Sequence, residues 1–95
     1  MAVLTTLDQL ARAEAAGPRH ARALNLVWSI TGCTHMLHAQ GLDCPALPPR
    51  AWAILERAGA GETVDENVLE DAIDAAEALN TQLSFAVLRR WPGGT

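Results

Sequence analysis

The 95-residue chain has no lysine and no tyrosine, a single phenylalanine and only two cysteines. Each shortage closes off a class. Without lysine, all the formal positive charge falls on seven arginines, against eleven acids, for a net −4. An acidic chain of this kind lacks the basic surface that broad nucleic-acid or anionic-membrane binding requires. Two cysteines are too few for the framework of bridges that staples small secreted domains. No basic segment leading into an apolar one opens the chain, so no signal peptide is expected. The expectation is a cytoplasmic protein with reduced thiols. The absence of lysine, with abundant alanine and arginine, suggests a GC-rich bacterial genome.

Catalytic groupings are also missing. No serine or cysteine is paired with a base, and no two carboxylates share an apolar setting. No glycine-rich loop follows a strand, so no phosphate cradle is present. No enzyme is expected, and no cofactor.

What remains is helical material. Alanine and leucine dominate and aromatics are scarce, which favours helix over sheet. Hydrophobic residues make up 49% of the chain, which argues against disorder. Ninety-five residues make one domain with a modest core, covering residues 1–95.

The stretch from Ala23 to Leu42 carries no formal charge and organises the rest. At about 100° per residue, Ala23, Leu26, Ile30, Cys33 and Leu37 share one narrow face. Their spacing alternates three and four, as in a helix packed along another. A second face holds Leu24, Trp28, Thr31, His35 and His38, so burial on more than one side is expected. Asn25, Ser29, Thr31, His35, His38 and Gln40 make the stretch too polar to span a membrane.

Before it, Thr6-Leu7-Asp8-Gln9 has the form of a capping box. A short helix from Leu7 to Ala16 is expected, with Leu7, Leu10 and Ala11 inward. Gly17-Pro18 ends it, and a long helix follows over about 19–40, closed by Gly41. Pro45, Pro48 and Pro49 stiffen the connector, and Arg50–Ala58 reads as a short helix with Trp52 and Leu55 inward. Gly59-Ala60-Gly61 marks a sharp turn. Thr63-Val64-Asp65-Glu66 is a second box, with Thr63 as cap and Glu66 completing it. A long helix over about 64–90 follows, with a seam of Leu69, Ala72, Ala76, Leu79, Leu83 and Ala86. Residues 92–95 should fray.

The expected fold is all-α: an antiparallel hairpin of the two long helices with two short ones packed on it. A homodimer is expected, because so short a chain has more apolar helix surface than it can hide. Leu24, Trp28, Phe85, Leu88 and Trp91 are the candidate partner-binding residues, Trp being a typical interface anchor. The leading functional expectation is a non-enzymatic interaction or regulatory protein that binds itself or another protein.

Two alternatives come from other classes. Cys33, His35, His38 and Cys44 fall within twelve residues, so His35 and His38 with Cys33 or Cys44 are candidate ligands of a metal- or haem-binding sensor. On a helix, however, Cys33 points to the seam and away from both histidines. Glu66, Glu70, Asp74 and Glu77 line one face of the last helix. Such a strip suits an acidic inhibitor of a nucleic-acid-binding protein.

Overall fold

A computed structural model describes residues 6–90, and all regular structure among them is helical. Four helices follow in order: α1 (Thr6–Ala16), α2 (Pro18–Ala39), α3 (Pro49–Gly59) and α4 (Glu66–Arg90). Trp91 and the expected frayed tail at 92–95 lie outside the described residues.

Helix α2 touches each of the other three, whereas α1 touches α2 and α3 but not α4. Its seam is where periodicity placed it. Ala23, Leu26, Ile30 and Leu37 are buried, with Cys33 partly so. The α4 seam meets it: Leu69, Ala72, Ala76, Leu79 and Leu83 are buried, with Ala86 at the margin. Ile73, beside that seam, is buried as well. Leu55 and Ala58 of α3 are fully buried and close the core from a third side.

The two long helices do not form an antiparallel hairpin. Arg19, near the start of α2, pairs at 3.8 Å with Glu66 and with Glu70, at the start of α4. Arg22 reaches Glu77 at 2.6 Å, and Ser29 donates to Asn80 at 2.6 Å. Leu37 and Leu42 share a cleft with Leu83 and Ala86. Partners advance together along both helices, so α2 and α4 run in the same direction. The reason is α3: its end packs on Leu24 while Pro49 and Trp52, at its start, lie by Ile30 and Thr34. It has therefore already reversed the chain, and α4 reverses it again.

Glycine sets the turns. Gly41 (φ 76°) follows α2, with Gly41 N–H bonded to His38 O at 2.9 Å and Leu42 N–H to Leu37 O at 3.1 Å. Gly61 (φ 85°) repeats the arrangement after α3 through Ala58 O and Arg57 O. Both are Schellman closures, which require a residue tolerant of left-handed backbone. Gly59 does something else. It is the last residue of α3, and a Cβ there would lie 3.2 Å from the Leu24 Cα. Its lack of a side chain lets α3 approach α2 at Leu24.

Two local expectations are corrected. The cap of α4 is Asp65 and not Thr63: the Asp65 Oδ1 accepts from Asn67 N–H at 3.0 Å and Val68 N–H at 3.1 Å. A carboxylate is at least as good an N-cap as a hydroxyl, and its charge also suits the helix dipole. At the other end of the described residues Thr6 is already within α1, so it is not the cap. Leu7 is 77% exposed and Ala11 is exposed, while Ala13 is fully buried. α1 seats on α2 and α3 through a small residue instead.

Candidate functional site

The five residues expected to bind a partner do not form one patch. Leu24 is buried under Gly59 of α3, so it belongs to the core. Trp28 is half-buried on α2, and Trp91 is outside the described residues. Phe85 and Leu88 are 61% and 62% exposed on the last turns of α4. With α4 parallel to α2, this end lies beside Leu37 and Leu42 and not beside Leu24 and Trp28.

Phe85 continues a face of α4 that points away from the seam. At 100° per residue, Asp74, Ala78, Thr81, Phe85 and Arg89 fall within one sector, with Leu88 at its border. All six are exposed. The face is acidic toward its start, small at its middle and apolar then basic toward its end. The acidic strip beside it is partly neutralised. Glu66 and Glu70 pair with Arg19, and Glu77 takes two N–H groups from Arg22. These pairs are exposed and are each worth at most about 1 kcal/mol. Of the four strip acids, Asp74 is the one without an ion pair among the described residues.

The histidines lie in a different place. The second half of α2, the proline connector and the start of α3 enclose a groove of about 560 Å³. Ile30, Leu47 and Trp52 supply apolar surface, and Pro45 and Pro49 supply rigid walls. Thr31, Thr34, His35 and His38 line the α2 side. Their spacings of three and four make them mutual neighbours on the helix surface. The connector that walls this groove was not foreseen as packing material. Its Leu42, Cys44 and Leu47 sit against the core. Apolar residues at 42 and 44, flanking Asp43, were the available signal.

No three His, Cys, Asp or Glu side chains among the described residues come together as a metal site would require. Cys33 and Cys44 are free thiols and both pack against the core, while His35 and His38 are exposed in the groove. The cysteines therefore do not converge with the histidines. His20 has a structural partner, its Nε2 lying 3.1 Å from the carbonyl of Glu62 in the α3–α4 turn. No helix among the described residues is long and apolar enough to cross a membrane.

Compared with protein-family models, with curated proteins and with solved structures, the chain matches none. The functional argument therefore rests on the chemistry of these surfaces.

Proposed function

We propose that the protein is a non-enzymatic interaction protein that associates through the outer face of α4, and that its first partner is a second copy of itself. The observation that carries this reading is the exposure of Phe85 and Leu88, 61% and 62%, on one side of a long, well-packed helix. Large apolar side chains grouped on a surface mark interaction sites more often than isolated ones do.

The sequence of that face is self-complementary. A twofold pairing of two α4 helices, antiparallel and centred between Thr81 and Gln82, sets each residue opposite the one whose number completes a fixed sum. Phe85 then faces Ala78 of the second copy, a large side chain against a small one. Asp74 faces Arg89 of the second copy, acid against base. Twofold interfaces require a surface that matches its own reverse, and this one does so in size and in charge.

Charge exchange tests it directly. Sedimentation of the wild-type chain over about two decades of concentration should show a monomer–dimer equilibrium, because association follows mass action. Asp74→Arg and Arg89→Asp should each shift it to monomer by opposing like charges. The double variant should restore the dimer. A wild type that stays monomeric throughout, or single variants that dimerise unchanged, would overturn the proposal. Circular dichroism of each variant separates lost association from lost fold.

The acidic-inhibitor reading is less favoured, because three of its four acids are engaged by Arg19 and Arg22. The metal-sensor reading is less favoured because the thiols and imidazoles are apart.

A further inference from the structure

We infer that the groove between α2, the proline connector and α3 binds a small amphipathic carboxylate, its apolar body against Ile30, Leu47 and Trp52 and its acid group on Thr31, Thr34, His35 and His38. The groove contains no residue of α4, so the site does not depend on dimerisation through that helix.

Size and make-up come first. Small-molecule sites are concave, mostly apolar and about 300–1,000 Å³, with a few polar groups fixing orientation. This groove is about 560 Å³. Its apolar walls are preorganised: Ile30 is a buried core residue, and Pro45 and Pro49 have fixed φ. A ligand therefore orders little of the protein when it binds.

Charge selects the ligand. The chain holds eleven acids, yet none lines this groove. The neighbouring clefts differ: one includes Glu56, another Asp71 and a third Asp43. Here the polar groups are two hydroxyls and two imidazoles, all able to donate a hydrogen bond. No hydrogen bond within the described residues occupies any of the four. They span two turns of α2, with Thr31–Thr34, Thr31–His35, Thr34–His38 and His35–His38 three or four residues apart, so a neighbouring pair can reach the same two carboxylate oxygens. Helix α3 begins at the rim of the groove with Pro49, and no side chain caps it. The positive end of its dipole adds to the preference for an anion. An ammonium ligand finds no acceptor of matching charge.

The probe is octanoate, below its micelle-forming concentration, titrated into the full chain and followed by backbone amide NMR. Saturable shifts are expected at Thr31, Thr34, His35, His38 and Trp52. Octylammonium, of the same length and opposite charge, should produce none there. In a His35→Ala/His38→Ala variant octanoate should bind about tenfold more weakly, the loss expected for one or two charge-assisted hydrogen bonds. Neutral octanol should bind that variant as it binds wild type. Both histidines are exposed, so the variant keeps the fold. The inference is overturned by shifts that do not saturate or fall elsewhere, by equal binding of octylammonium, or by unchanged octanoate affinity in the variant.

Discussion

The two halves of α2 are built to different standards. From Ala23 to Leu26 the helix is buried on two faces, with only Asn25 exposed. Ala23 is fully buried, Leu26 is 1% exposed, and Leu24 on the next face is buried beneath Gly59 of α3. From Thr31 to His38 only the seam is covered. Ile30 and Leu37 are buried, yet Thr31, His35 and His38 stand open to the groove. The difference lies in what lies opposite. An eleven-residue α3 ending on a glycine closes against the first half. A proline connector that cannot pair or pack as regularly borders the second. The lesson is that a single helix can serve as core along one part of its length and as site along another.

That contrast can be broken most severely at its closed end. Leu26→Ala should lower stability by about 2–5 kcal/mol, through lost burial and the cavity left in the core that α2 shares with α3 and α4. Leu37→Ala should fall at the low end of that range, because Leu37 borders an open cleft at the helix end. Urea unfolding of both variants measures the difference, and equal losses would mean that the halves are equally well packed.

A smaller effect is expected where α3 meets α2. Gly59→Val places carbon atoms where the Leu24 backbone already is, since even a Cβ would lie 3.2 Å from the Leu24 Cα. Overpacking of this kind costs about 1–3 kcal/mol. A thermal melt reads it, and a melt unchanged from wild type would show that α3 can slide away without loss. The smallest effect belongs to the open end. His35→Ala should change stability by no more than about 0.5 kcal/mol, as for surface positions without structural partners. A large loss there would show the second half to be as dependent on its outer face as the first.

Much of this was legible in the sequence, and for one reason. Three–four alternation of apolar residues records which side of a helix is buried, so both long seams are readable from the residues alone. Gly17-Pro18, Gly41 and Gly61 marked the turns because their backbone conformations suit few other residues. Direction was not legible. Periodicity is the same read forward or backward, and the sense of α4 depends on how far α3 retraces α2. The open face of α2 was misread as buried because Thr31, His35 and His38 occur in an uncharged run, and absence of charge is not presence of a neighbour. Thr63 reads as the cap because Glu66 completes a box with it, yet Asp65 is an equally good capping residue type. The choice fell to backbone geometry two residues further on. Leu7 drew attention as the larger side chain in α1, but burial went to Ala13, where close approach was possible. For the proposed sites, Phe85 and Leu88 were visible as surplus apolar residues. The groove was not, since it joins α2 to residues on the far side of a connector.

The shared direction of α2 and α4 has an electrical consequence. Each long helix carries about half an elementary charge of opposite sign at its two ends, and here the like poles sit side by side. Arg19, bridging to Glu66 and Glu70, sets side-chain charge across that awkward junction. The pair of long helices is left polarised end to end, a small bar magnet in electrostatic terms. Two such bars laid side by side in opposite senses would cancel each other's field, as the proposed antiparallel pairing of two α4 helices would do.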